Sequence, residues 1–151
     1  MAATAADVEV LGQLAESARL EKSHSRGGPM FLARESPPGP HDERLAAAIA
    51  DENQVVLCGT IDGVIVGFAS MIIETLRTGE SLAAVGELFV LPDARGVGVG
   101  EALMDALVVA AQSAGCRGID AIALPGDRET KNFFETFGLK ARAILVHRSF
   151  D

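Results

Sequence analysis

Apolar residues in the first stretch of the chain recur at helical spacing. Val8, Leu11, Leu14, Ala15 and Ala18 fall on one face of a 3.6-residue period. Thr4-Ala5-Ala6-Asp7 stands just before them, with a hydroxyl and a carboxylate suited to the free N–H groups of a helix start. The spacing predicts a first helix beginning almost at the N-terminus. From Ser23 to Pro40 the period is lost, and Gly27-Gly28-Pro29 and Pro37-Pro38-Gly39-Pro40 interrupt the chain, so this stretch reads as a long loop. Leu45, Ala48 and Ile49 then predict a short second helix from Asp42 to Asp51.

The pattern next changes to short apolar runs. Val55 to Cys58 and Val64 to Phe68 flank Asp62-Gly63, a dipeptide that supplies the positive φ angles of a tight turn, and together they predict an antiparallel hairpin. Val85 to Leu91 is a third strand ended by Pro92, and Ala102 to Ala114 a strong helix former ended by Gly115. Ile119 to Leu124 predicts a further strand. Asp127 caps a helix carrying Phe133, Phe134 and Phe137, Gly138 closes it, and Ala141 to His147 predicts a last strand. The order α, α, β, β, β, α, β, α, β implies an α/β fold: a single mixed, mostly antiparallel sheet flanked by helices. With no repeat and no linker, residues 1–151 are expected to form one domain.

Composition narrows the class. Hydrophobic residues at 48% and charged residues at 23% fit a self-folding globule, not a disordered chain. No apolar run reaches the roughly 18 residues that span a bilayer, and Met1 to Val10 lacks a basic-then-apolar leader, so a cytoplasmic protein without membrane partners is expected. Cys58 and Cys116 have no metal-ligand spacing and read as reduced thiols; no metal is expected. A formal charge of -8 disfavours nucleic acid as a partner. The chain contains no tyrosine.

The chemistry concentrates in Pro92-Asp93-Ala94-Arg95-Gly96-Val97-Gly98-Val99-Gly100, between the third strand and the following helix. Glycines at such a turn let backbone N–H groups approach a ligand, and with the helix N-terminus they form an anion site suited to a diphosphate. A dinucleotide fingerprint fails on spacing, since Glu101 or Leu103 stands where its last glycine belongs. A P-loop fails because Gly100 is followed by Glu101-Ala102 rather than Lys-Ser/Thr.

Arg95, Gly98 and Gly100 match the Arg/Gln-x-x-Gly-x-Gly/Ala pattern of the GNAT N-acetyltransferase superfamily, which the chain resembles from about Val85 to Leu139. The second part of that resemblance is Phe133-Phe134-Glu135-Thr136-Phe137-Gly138-Leu139, with Leu139 in place of a usual phenylalanine. The resemblance implies acetyl-CoA as co-substrate. Its pyrophosphate would lie on the main-chain N–H groups of Arg95, Gly96, Val97, Gly98, Val99 and Gly100. Its pantetheine arm and acetyl carbonyl would lie along the strand edge of Leu88, Phe89 and Val90. It also implies transfer to a primary amine of a small molecule or peptide by direct attack, and a homodimer. Most members carry a strand before the first helix, for which this chain has few residues, so that strand is expected to be absent or trimmed.

Glu87 is the candidate base. Alternation along Val85, Glu87, Phe89 and Leu91 places it among apolar side chains unless a bulge re-aims it, and desolvation would make it a poised base. A main-chain N–H of Leu88 or Phe89 is the candidate oxyanion donor. The family's tyrosine, which protonates the departing thiolate, is matched by Phe134, whose ring packs but donates no proton. Ser70, Cys58, His147 or water could replace it, with water preferred. His24 and His41 flank the loop expected near the acceptor and carry no assigned role. The missing tyrosine leaves an acyl-CoA sensor without turnover as one alternative; an interaction domain that binds no CoA is another.

Overall fold

The computed structural model describes residues 1–150. Its elements in chain order are α1 (Val8–Ser23), α2 (Gly28–Arg34), α3 (His41–Ala50), β1 (Gln54–Ile61), β2 (Val64–Thr75), β3 (Ser81–Val90), α4 (Val99–Ser113), β4 (Ile119–Asp120) and α5 (Arg128–Thr136). The strands form one sheet in the order β1-β2-β3-β4, antiparallel except for a parallel β3–β4 pair. This is the mixed, mostly antiparallel sheet flanked by helices that the sequence predicts.

Strand alternation sorts the core onto the two faces of the sheet. On one face Leu57, Ala69, Met71, Ala83 and Val90 pack against Leu103, Met104, Leu107 and Ala111 of α4. On the other, Val56, Cys58, Phe68 and Phe89 meet Leu11, Leu14 and Ala15 of α1 and Leu45 and Ala48 of α3. Phe68 and Met71, three residues apart in β2 and on opposite faces, are both fully buried. Cutting a side chain like Phe68 back to alanine typically costs about 3–5 kcal/mol.

The pairing of β2 with β3 slips once, between Ser70↔Glu87 and Met71↔Val85, which leaves Gly86 as the extra residue of a bulge. The bulge changes which residues share a face. Glu87 stays with Phe89 on the α1/α3 face, whereas Val85 crosses to pack with the α4 cluster. Simple alternation had put Val85 beside Glu87; the bulge acts on the strand before the glutamate and leaves the glutamate with Phe89.

Four expectations need correction. The stretch from Ser23 to Pro40 is not all loop: Gly27 takes φ 74° and Pro29 lies in the first turn of α2, so the residues that break one helix begin the next. The strand expected over Ile119 to Leu124 shortens to Ile119–Asp120, paired with Ala83 and Ala84. The strand expected over Ala141 to His147 does not form, and Ile144, Leu145 and Val146 are 86%, 75% and 87% exposed. Three consecutive aliphatics cannot hide on one face of a pleat. The stretch before α1 is not empty either, because Ala2 bridges Leu57 while the Ala3 and Cys58 N–H groups donate to Val56 and Met1 carbonyls at 2.9 and 2.8 Å.

Gly59 of β1 lies beneath the first turn of α4. A Cβ at that position would stand 2.6 Å from Val99 Cγ1 and 3.1 Å from Leu103 Cδ1. Gly59→Ala is therefore expected to push α4 off the sheet and lower stability by about 1–3 kcal/mol. Urea unfolding checks this, and an unchanged midpoint would show that the helix start yields freely.

Candidate active site

β3 and β4 pair only at Ala83 and Ala84 and then part. Into the gap opens a cleft of ≈ 170 Å³, walled by Val85 to Phe89 on one side and Ala121 and Ile122 on the other. Ala15, Ala18 and Lys22 of α1, Phe31 and Leu32 of α2, and Thr130 and Phe134 of α5 complete it.

The parting leaves main-chain groups without strand partners. The Leu91 N–H donates to the Val66 carbonyl at 2.8 Å, and Phe68 is paired with Phe89, so the antiparallel alternation turns the N–H and C=O of Glu87 and Phe89 toward β2. Those of Leu88 and Val90 turn to the opposite, open edge. There the Val90 carbonyl accepts from Arg95 Nε at 2.8 Å. Arg95 is held as a structural pin: its Nη2 donates to Glu21 on α1 at 2.8 Å, and its guanidinium lies 5.5 Å from the centre of the Phe89 ring. Its side chain faces the end of β3 and α1.

The glycine-rich turn follows. Gly96 and Gly98 take φ 85° and 91°, a region that strains other residues, and a Cβ on either would meet nothing within 4 Å. Gly98 is the N-cap of α4, and Val99 seats the helix by burying its own side chain. Among the described residues, none of the N–H groups from Gly96 to Glu101 has a hydrogen-bond acceptor. Six unpaired donors at a helix N-terminus make an anion site. Gly100 faces the Phe133 ring, which a Cβ would approach to 3.9 Å.

Glu87 stands in the cleft wall with its carboxylate 12% exposed. Arg44 of α3 grips both oxygens, Nη1 to Oε1 and Nη2 to Oε2, each at 2.8 Å, and the Ser70 hydroxyl donates to Oε1 at 3.2 Å. The poised carboxylate expected from the sequence rested on desolvation alone, whereas the folded chain supplies a buried guanidinium. Arg44 escaped the sequence reading. Its one local signal is that it stands four residues before buried Ala48 and next to buried Leu45, a charge on the apolar stripe of α3, which calls for a buried partner. Nothing local names Glu87, 43 residues away.

Phe134 lines the cleft edge-on to Phe133, with ring centres 5.6 Å apart. The residues considered as acids are scattered. Ser70 touches Glu87. His147 is exposed and contacts Ser149 at 3.1 Å. Cys58 is buried in the α1/α3 core, where desolvation first and the nearby Asp7 carboxylate second push its thiol up to about 11. Of the two histidines that flank the loop, His41, the first residue of α3, reaches the cleft wall and Arg44, with its Nδ1 3.0 Å from Arg44 Nη2.

Comparison with known proteins bears on this geometry. The model of the Acetyltransferase (GNAT) family matches residues 19–139. No curated protein matches at a significant level. Among solved structures, the tetramutant of a Bacillus halodurans protein superposes with a TM-score of 0.80 at 16% identity, covering 99% of this chain and 98% of that one. A ribosomal-protein-alanine N-acetyltransferase from Brucella melitensis gives 0.69 at 20% identity, with 99% and 98% covered. The enzyme AAC(6')-Iy, solved with the bisubstrate analog CoA-S-monomethyl-acetylneamine, gives 0.69 at 19% identity, with 97% and 92% covered.

The environment of Cys58 yields a direct test. A thiol reagent at pH 8 should label Cys116, which is partly exposed, and leave Cys58 intact until urea is added. Because folding raises the Cys58 value from 9.0 to about 11, its contribution to stability is complete below pH 9 and fades as the pH climbs toward 11. The stability difference between the protein and a Cys58→Ala variant should shrink over that window. Labelling of Cys58 in the native protein at pH 8 would contradict the assignment.

Proposed function

The chain belongs to the Acetyltransferase (GNAT) family, and on that premise we propose that it moves the acetyl group of acetyl-CoA to a primary amine by direct attack within a ternary complex. The observation that carries this reading is the run of unpaired N–H groups from Gly96 to Glu101 beside the open edge of β3. The helix terminus suits a diphosphate, and the edge suits an extended chain bearing amide groups. Leu88 and Val90 carry the main-chain groups that would meet the pantetheine arm, and Phe134 supplies an apolar wall. Phe89 contributes by its buried ring, since its main chain is turned to β2.

The chemistry needs a neutral amine, because an ammonium has no lone pair. Glu87 takes the ammonium proton, directly or through one water. The amine nitrogen then attacks the thioester carbonyl, and the charge on the oxygen is met by the Leu88 N–H. That attack makes the C–N bond; collapse of the tetrahedral intermediate restores the C=O and breaks the C–S bond, the nitrogen gives up its second proton to water, and water protonates the departing thiolate, as Phe134 has no proton to give. The acceptor is a small-molecule or peptide amine entering from the side of α1 and α2. Solved proteins of the same fold include one named for ribosomal-protein alanine and one bound to an acetylneamine conjugate, which spans that range.

Calorimetric titration with acetyl-CoA should show binding in the micromolar range, weakened at least about tenfold by Gly98→Val, whose side chain is strained at φ 91° and covers the N–H groups. No binding by the unmodified protein would overturn the reading. With an accepted amine in hand, Glu87→Gln should lower kcat by roughly 10² to 10⁴ and leave the KM for acetyl-CoA nearly unchanged.

A further inference from the structure

We propose that His41 is a positioning residue for acetyl transfer: through the lone pair on Nδ1 it holds the Arg44 guanidinium in the plane of the Glu87 carboxylate, and so decides which lone pair of Glu87 faces the cleft. This rests on the reading of Glu87 as the base. The argument begins with what Arg44 can do. A guanidinium donates five N–H bonds and accepts none. Arg44 uses Nη1 and Nη2 on Glu87 and brings Nη2 within 3.0 Å of His41 Nδ1, while its buried Nε has no partner among the described residues. The side chain is 11% exposed, so water has little access to replace a lost contact.

Because Arg44 only donates, His41 Nδ1 must present a lone pair, and the ring proton belongs on Nε2. That nitrogen points at Glu16 Oε1 on α1, 3.3 Å away. Glu16 is bound in turn by Arg19 through Nε and Nη2 at 2.6, 3.0 and 2.8 Å, and this contact holds its carboxyl well down, at about 2, so it remains an acceptor at working pH. Donors and acceptors therefore alternate without a break from Arg19 and Glu16 on α1, through His41 and Arg44 on α3, to Glu87 on β3. His41 and Arg44 share a face of α3 because they are three residues apart.

The reason for such an arrangement lies in Glu87. A forked guanidinium takes one lone pair on each oxygen, and Ser70 takes the second on Oε1. The remaining lone pair of Oε2 is the place for the substrate proton. A rotation of Arg44 redistributes these contacts, and His41 is the group that opposes it from outside the ion pair.

Kinetics of four variants test this. His41→Ala removes the acceptor. His41→Gln keeps bulk and can reach Glu16, but has no acceptor at the Nδ1 position. His41→Asn puts a carbonyl oxygen where Nδ1 stood. Glu87→Gln reports on the base itself. Ala and Gln should lower kcat roughly ten- to a hundredfold with the KM for acetyl-CoA within about twofold, while Asn recovers most of the rate and Ala adds nothing in the Glu87→Gln background. If Glu87→Gln is impaired but His41→Ala and His41→Gln turn over normally, or if Asn is as poor as Gln while all variants melt alike, His41 has no positioning role. If Glu87→Gln keeps its full rate, the base assignment has failed and the role of His41 falls with it. Should His41→Ala fail to fold, the Gln and Asn pair still decides.

Discussion

Main-chain groups that lose their strand partner inside a folded protein must find another, and this constraint organises the molecule. β3 and β4 pair over two residues and then separate, which leaves the N–H and C=O of Leu88 and the N–H of Val90 on an edge without a strand partner, while the Val90 carbonyl takes Arg95 instead. The chain leaves that edge through Pro92 and enters α4, and the glycine turn and first residues of α4, Gly96 to Glu101, present six more unpaired donors. Two kinds of unsatisfied backbone thus lie end to end, an extended edge and a helix terminus. A ligand that satisfies both has an amide-bearing chain and an anionic head, which is the outline of a coenzyme A thioester.

The packing that surrounds this cleft serves its alignment. Gly59 leaves room for Val99, which seats the start of α4 against the sheet. Arg95 ties the strand end to α1 by bonding Val90 and Glu21, so the arginine of the motif acts as a brace while the N–H groups that follow it stay unpaired. The bulge at Gly86 sends Val85 to one face and keeps Glu87 with Phe89 on the other. Arg44 and Glu87 form a nearly buried ion pair, an arrangement whose desolvation cost offsets much of its attraction. It is better understood through where it lies, at the cleft wall, than as a contribution to folding.

Legibility in the sequence followed the range of the interaction. The hairpin at Asp62-Gly63, the helix cap at Asp127 and the turn around Gly98 were readable because each is decided within a few residues: Asp62 and Gly63 take φ 50° and 80°, and Asp127 accepts from the Thr130 N–H at 3.1 Å. The expected last strand misled because its aliphatic run measures fit to a half-buried surface, and no such surface stands beside Ile144 to Val146. The helix from Gly28 to Arg34 was missed for the opposite reason, since glycine and proline read as breakers also start helices.

The sequence by itself determined the strand–glycine turn–helix unit, the family it belongs to, the absence of a tyrosine and the candidate status of Glu87, because these depend on residue identity and short spacing. Only the tertiary structure decided what surrounds Glu87. The bulge, the parting of β3 from β4, and the approach of Arg44, Ser70 and His41 to one carboxylate all join segments distant in the chain. Side-chain electrostatics at such a point are set by packing between elements, and no local pattern along the chain records which elements will meet.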